Sequence, residues 1–145
     1  MMRLIPVRVL IIDDDDSVCR KVSGWLTEAD YDVTTFTDHA AALEHAQHVF
    51  SQVALVDLQF PDADVAELLD ALRRISPLTR VVAMAAFPDV PLVVAAIRAG
   101  AQDVLEKPIQ PPSLLAALER QLEQAGVSVR SEAEYNRRLL SLIHI

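Results

Sequence analysis

The sequence predicts an α/β fold in which a doubly wound, five-stranded parallel sheet is flanked by five helices and followed by a helical tail. Short apolar runs alternate with amphipathic stretches along most of the chain, which is typical of strands joined by helical crossovers. The apolar runs are nearly continuous, as expected for strands buried on both faces. The chain has 145 residues, 52% of them hydrophobic, so it is long and apolar enough to form one domain with its own core.

The first half of the chain predicts two strands, each followed by a helix. Residues 7–12 form an apolar run suited to a buried strand, and residues 31–36 are rich in β-branched and aromatic side chains, which favours a strand near a sheet edge. Asp16 and Ser17 can cap the helix between them, because short polar side chains accept hydrogen bonds from the free amide groups of a helix N-terminus. Asp38 is the predicted cap of the second helix.

The second half predicts three further strands and three further helices. The predicted strands are residues 53–56, 81–84 and 104–105, and the predicted helices are residues 65–75, 88–99 and 113–125. Pro77 ends the first of these helices because proline cannot continue the backbone hydrogen-bond pattern. Gly100 follows the second, where a left-handed C-terminal cap favours glycine.

Gly126 marks the predicted end of the domain. We expect a domain over residues 1–126 and a helical tail or linker over residues 127–145. Ser131 and Glu134 form a capping-box pattern at the start of this tail, and its end is apolar. The tail either packs on its own domain or leads, as a linker or pairing helix, toward an output module outside these 145 residues, and we favour the second interpretation.

Composition excludes several classes of function. The chain has 21 Asp and Glu against 13 Lys and Arg, a formal net charge of −8, so this segment is not expected to bind the phosphate backbone of nucleic acid. No apolar run reaches the roughly 18 residues that a membrane helix needs, so no membrane association is expected. The three glycines do not form a glycine-rich phosphate-binding loop. The single cysteine, Cys19, excludes an internal disulfide and favours a cytoplasmic location.

Charged residues follow three of the predicted strands. Asp13 and Asp14 follow the first strand, Asp57 follows the third, and Lys107 follows the fifth. If these three strands end on the same edge of the sheet, the residues can converge, and ligands of such sheets bind at the carboxyl ends of the strands. Carboxylates brought together repel one another, and Mg²⁺ relieves that repulsion through oxygen ligands, while a lysine can pair with a carboxylate or with a phosphoryl group placed on it. The whole chain has only two lysines, Lys21 and Lys107, which makes a lysine at a strand end a stronger indication of a site.

Three segments, taken together and in order, resemble the receiver domain of two-component response regulators. They read VLIIDDDDSV, VALVDLQFPDAD and IRAGAQDVLEKPI, and the resemblance covers about residues 7–125. It implies a flavodoxin-like sheet with strand order 2-1-3-4-5. It also implies a regulatory phosphoacceptor domain and not an enzyme, with at most self-phosphorylation from small phosphodonors and autodephosphorylation.

The resemblance carries roles onto individual residues. Asp57 matches the aspartate that accepts a phosphoryl group from a sensor histidine kinase or a phosphotransfer protein. Asp13 and Asp14 match the acidic pair that holds Mg²⁺ together with Asp57, and the backbone carbonyl of Gln59 would be a further metal ligand. Lys107 matches the lysine that contacts the phosphoryl oxygens, and in the family its bond to the following proline is often cis. The implied chemistry is that of phosphoryl transfer to a carboxylate nucleophile.

Two positions depart from the family pattern together. Ala85 stands where the family has Thr or Ser at the end of the fourth strand, and Val104 stands where it has Tyr or Phe on the fifth. Alanine has no hydroxyl to donate to a phosphoryl oxygen, and valine has too few rotamers to replace a switching aromatic ring. Val65 also replaces a glycine often found after the Asp57 loop. The phosphorylation chemistry can therefore persist where the usual relay of it cannot.

Two hypotheses about function follow from these departures. The first is a phosphoacceptor that signals by altered contacts of the face formed by helix 4, strand 5 and helix 5, toward an output domain or a homodimer made through that face or the tail. The alternative is a receiver-like interaction module that works without phosphorylation, as Ala85 and Val104 suggest. A phosphatase of the dehalogenase-like kind is disfavoured, because it needs a second acid two residues after its nucleophile, and Gln59 is there.

Overall fold

The computed structural model describes residues 6–60 and 64–126, and within them five strands alternate with five helices as predicted. The strands are β1 (Arg8–Ile12), β2 (Asp32–Phe36), β3 (Val53–Asp57), β4 (Arg80–Ala85) and β5 (Asp103–Glu106). The helices are α1 (Asp16–Glu28), α2 (His39–His48), α3 (Val65–Ile75), α4 (Val90–Arg98) and α5 (Pro111–Gln124). The tail predicted over residues 127–145 lies outside the described residues.

All five strands are parallel, in the order β2-β1-β3-β4-β5. The prediction of fold class and strand order is therefore confirmed. β3 is central and every one of its five residues is buried, which explains the uninterrupted apolar run that predicted it. Strand β2 is an edge strand, in agreement with its mixed polar and aromatic sequence.

The sheet has an apolar core on each face, because alternate residues of a strand point to opposite sides. On one face, Val9 and Ile11 of β1 pack with α1 and α5, whose inward residues include Val22 and Leu118. On the other face, Leu10 and Ile12 pack with α2, α3 and α4. On this second face α2 and α4 each bury a single residue, Ala42 and Ala96.

Aspartates cap four of the helices and set where they begin. Asp38 caps α2 as predicted, accepting a hydrogen bond from Ala41 N at 2.9 Å. The cap of α1 was predicted one residue too late: Asp15 accepts from Ser17 N at 2.9 Å, while Asp16 is already helical and pairs with Arg20 at 3.1 Å. In a run of four aspartates, composition cannot distinguish a cap from its neighbour, since each offers the same acceptor.

Helix α4 starts later than predicted. Asp89 is its N-cap and accepts from Leu92 N at 2.9 Å, so Pro88 lies before the helix and Pro91 lies in its first turn. Gly100 follows its last turn with φ +117°, a backbone conformation that favours glycine, as predicted. No helix within residues 6–60 and 64–126 is both long enough and apolar enough to cross a membrane.

Candidate functional site

Three carboxylates meet at the carboxyl ends of β1 and β3. Asp13 and Asp14 directly follow β1, and Asp57 is the last residue of β3. One oxygen atom from each lies within 4.8 Å of the others. Asp13 and Asp57 are buried, at 0% and 2% exposure, whereas Asp14 is exposed and faces solvent. The convergence expected from parallel strands that end at one edge is therefore present.

Asp13 is held from several directions. Its backbone N–H donates to Phe36 O at 3.1 Å, which ties the residue to the end of β2. Its Oδ1 accepts from Asp15 N at 2.9 Å, and its Oδ2 accepts from Lys107 Nζ at 2.7 Å. Both carboxylate oxygens thus have a donor, which fixes the side chain in place.

Lys107, immediately after β5, lies between two of the acids. Its Nζ is 2.7 Å from Asp13 Oδ2 and 3.4 Å from Asp57 Oδ1, and its side chain is 17% exposed. Burial acts to lower the pKa of Lys107, but the hydrogen bond and charge of Asp13, together with the charge of Asp57, outweigh it and raise the pKa. The ammonium therefore stays charged at neutral pH. The Lys107–Pro108 bond is cis, as the resemblance implied.

The surroundings of Asp57 disfavour its ionised form. Burial, followed by repulsion from Asp13, raises its pKa from 3.8 to about 6. The backbone N–H of Gln59, 3.1 Å from Oδ1, and the Lys107 ammonium act in the opposite direction but do not cancel the shift. Asp57 is therefore ionised at neutral pH at a cost, and it would gain from additional positive charge.

The donor set suits Mg²⁺. Three carboxylates against one ammonium leave a formal excess of two negative charges, and carboxylate oxygens are the ligands that this hard cation prefers. The exposed side of Asp14 leaves room for the waters that Mg²⁺ keeps in protein sites. Within the residues that the structure describes, no other group of three His, Cys, Asp or Glu side chains is close enough to hold a metal.

The two unusual positions lie where the sequence placed them. Ala85 is the last residue of β4 and is fully buried, so its methyl group faces protein and offers no hydrogen-bond donor. Val104 pairs with Ala83 in the register of β4 and β5 and is half-buried against the core of α3 and α4. Ala85 has no hydroxyl group, and Val104 has neither a hydroxyl group nor an aromatic ring.

Gln59, of which only the backbone carbonyl was expected to take part in the site, also contributes its side chain. Gln59 Oε1 accepts a hydrogen bond from Ala86 N at 2.7 Å, across from the loop after β3 to the loop after β4. No sequence signal pointed to this contact, because it joins two loops that are distant in sequence and involves a backbone N–H that solvent could also satisfy.

Comparisons with known proteins agree with this geometry. The sequence profile of the family described as "Response regulator receiver domain" matches residues 9–119. The tetrathionate response regulatory protein TtrR of Salmonella typhimurium is 34% identical over 119 residues, covering 82% of this chain and 58% of TtrR. The transcriptional regulatory protein FixJ of Bradyrhizobium diazoefficiens is 32% identical over 125 residues, covering 86% of this chain and 61% of FixJ.

Solved structures show the same fold. The chemotaxis protein CheY4 of Vibrio cholerae superposes with a TM-score of 0.77 at 29% identity, covering 81% of this chain and all (100%) of that one. A receiver domain protein from Methanospirillum hungatei gives a TM-score of 0.80 at 24% identity, covering 84% of this chain and 98% of that one, a likeness of fold. The chain spans about 60% of the length of the two curated relatives. By its profile match, its relatives and its fold, the chain belongs to the response regulator receiver domain family.

Proposed function

We propose that this domain accepts a phosphoryl group on Asp57, in a Mg²⁺-dependent reaction, from a histidine kinase or a phosphotransfer protein. The observation that supports the proposal most strongly is the buried Asp57 carboxylate beside two further acids, whose negative charge Lys107 compensates only in part. Receiver domains of this family act with histidine kinases and output domains as regulatory parts of two-component systems. The donor and the output of this particular chain belong to the proposal.

The protein carries out few chemical steps in this reaction. A carboxylate oxygen of Asp57 attacks the phosphorus, the bond between phosphorus and the donor's imidazole nitrogen breaks, and the nitrogen keeps the electron pair. Asp13, Asp14, Asp57 and the Gln59 carbonyl would hold Mg²⁺, which neutralises charge on the phosphoryl oxygens when bound. Lys107, already 3.4 Å from Asp57 Oδ1, would turn from the carboxylates to a phosphoryl oxygen.

The proposal extends to the longer protein. Residues 1–126 would form the receiver, and residues 127–145 would lead toward an output module, since the curated relatives are longer than this chain and are named as regulatory proteins. The face of α4, β5 and α5, or the tail, would make the contact with that module or with a second copy. The reducing cytoplasm, where kinase and output would meet the domain, is the proposed location.

Intact mass after incubation with Mg²⁺ and acetyl phosphate tests the proposal. We expect one phosphoryl adduct in the wild-type chain, none in Asp57→Asn, and none when Mg²⁺ is removed by a chelator. Asp32→Asn is the matched control, because Asp32 is an exposed aspartate at the opposite end of the sheet, 3.5 Å from Arg8. An absent adduct, or one that persists in Asp57→Asn, would show that Asp57 is not the acceptor.

A second candidate function is favoured by Ala85 and Val104: a receiver-like interaction module that works without phosphorylation. This candidate expects Asp57→Asn to bind the partner of the longer protein as the wild type does. Loss of that binding in Asp57→Asn, with Asp32→Asn unaffected, would exclude it.

A further inference from the structure

One peptide group in the loop after β4 is hydrogen-bonded on both sides by residues of the site. The carbonyl of Ala85 and the N–H of Ala86 belong to the same planar peptide unit. The carbonyl accepts from Lys107 N at 2.8 Å, and the N–H donates to Gln59 Oε1 at 2.7 Å. The position that lacks a switching hydroxyl is therefore connected to the site through its backbone.

Gln59 has two contacts that join Asp57 to this peptide. Its backbone N–H donates to Asp57 Oδ1 at 3.1 Å, and its side-chain oxygen accepts from Ala86. A change at the Asp57 carboxylate can thus reach the loop before α4 through a single residue. The carboxamide also has an N–H₂ group, a donor of the kind that Ala85 cannot offer.

Helix α4, which follows that loop, has space to move. Ala96 is its one buried residue, and a cleft of about 310 Å³ separates it from α3. The cleft is lined by apolar groups that include Leu58, Leu69, Leu92 and Ala95. Phe87 in the loop before α4 is 82% exposed and Val90, its first residue, is 75% exposed, so little packing opposes a shift of this segment.

We propose that Gln59 is the positioning residue that couples the state of Asp57 to α4, in place of the missing hydroxyl and aromatic side chains. This inference rests on the proposed function. In the resting domain, Gln59 Oε1 holds the Ala86 N–H. When a phosphoryl group is joined to Asp57, its oxygens accept from the Gln59 side-chain amino group, the carboxamide leaves Ala86, and the 85–86 peptide shifts with α4.

Amide hydrogen exchange and amide chemical shifts of Ala86 and α4 test the coupling, with and without Mg²⁺ and acetyl phosphate. In the resting state, Gln59→Leu should raise the exchange rate of the Ala86 amide about five- to tenfold, because it removes one hydrogen bond. Gln59→Glu should change it less than about twofold, because it keeps an acceptor oxygen. Phosphorylation of the wild type should raise Ala86 exchange by a similar five- to tenfold factor and shift the amides of α4.

The decisive quantity is the change in the amide chemical shifts of α4 per phosphorylated molecule. The fraction of phosphorylated molecules is read from intact mass. We expect both Gln59→Leu and Gln59→Glu to lose at least half of the change in chemical shift, since neither can donate to a phosphoryl oxygen, although Gln59→Glu keeps the resting contact. Gln52→Ala is the matched control: Gln52 Oε1 accepts from Arg8 N at 2.7 Å at the other end of the sheet, so its loss should affect Arg8 alone.

A full α4 response in Gln59→Leu at equal occupancy would overturn the coupling role and leave the proposed function standing. Unchanged Ala86 exchange in resting Gln59→Leu would overturn it as well. If the wild type forms no adduct, the proposed function fails and the coupling role fails with it, an outcome that the mass measurement separates from the other two.

Discussion

The two ends of the sheet differ in their polar contacts: the amino end uses neutral side chains and exposed ion pairs such as Arg8–Asp32, whereas the carboxyl end buries carboxylates. At the amino ends of the strands, neutral glutamines accept from backbone amides: Gln52 Oε1 from Arg8 N at 2.7 Å, and Gln102 Oε1 from Val81 N at 2.6 Å. Thr79 likewise donates its hydroxyl to a backbone carbonyl there, at 2.7 Å. At the carboxyl ends, three carboxylates lie together, and the Lys107 ammonium pairs with two of them, Asp13 and Asp57.

This difference separates stability from function. The neutral contacts at the amino end satisfy backbone groups without burying charge, so they stabilise the fold at little electrostatic cost. The carboxyl end keeps Asp13 and Asp57 buried and mutually repulsive, an arrangement that is unfavourable until a cation or a proton arrives. A site that is unfavourable when empty binds a cation more readily, and the rest of the fold offsets its cost.

The largest expected effect comes from removing Lys107, the one cation that pairs with these acids within the described residues. Lys107→Met should lower the free energy of unfolding by about 3–5 kcal/mol without Mg²⁺, because it leaves the Asp13 carboxylate buried without its partner. It should also slow phosphoryl acceptance about 100-fold. Denaturant titration and adduct formation measure the two effects.

Lys21→Met is the matched control for this change, because Lys21 is the other lysine of the chain and is exposed on α1. We expect less than about 0.5 kcal/mol from it and no change in rate. Equal effects of the two substitutions would show that the carboxyl end has no special electrostatic cost.

A smaller effect is expected in the dependence of stability on pH. Asp57 has a pKa of about 6 in the folded domain, against an ordinary value of 3.8. Between these values the folded domain keeps a proton that the unfolded chain has released, so the contribution of Asp57 to stability falls as the pH rises and is fully lost above about pH 6. The loss is on the order of 1–3 kcal/mol.

Comparison with Asp57→Asn isolates this contribution. When a chelator removes Mg²⁺, the difference in the free energy of unfolding between Asp57→Asn and the wild type should be smallest near pH 4. It should grow in favour of the variant up to about pH 6. Denaturant titrations across that range measure it. A difference that stays constant with pH would mean that Asp57 does not carry the electrostatic cost.

The smallest effect is expected at the amino end. Gln102→Ala removes the acceptor of the Val81 N–H and should cost about 1 kcal/mol of unfolding free energy, the ordinary value of one such hydrogen bond. Phosphoryl acceptance should be unchanged, since the substitution lies at the far end of β5. A reduced rate of adduct formation in Gln102→Ala would remove the distinction between the two ends.

Local patterns predicted the parts of this molecule that depend on local chemistry. The buried strands were predictable because continuous apolar runs such as residues 53–56 have few other uses, and Asp57 and Lys107 were predictable because parallel strands end at one edge. The pairing of Lys107 chiefly with Asp13 was not, because it depends on the distances 2.7 and 3.4 Å. The reach of Gln59 to Ala86 was hidden for the same reason, since two loops distant in sequence create it.

The run of four aspartates has a consequence for the phase of the following helix. Asp13 is fixed to β2 through its N–H, and Asp15 fixes the first turn of α1. Deleting any one of the four residues yields the same shorter sequence, with a run of three aspartates. The helix would nevertheless begin at Ser17, one residue later in its own sequence, which turns its apolar stripe of Val22 and Leu26 by about 100° relative to the sheet. The length of the run therefore acts as a spacer that orients a helix, and its four identical letters are not redundant.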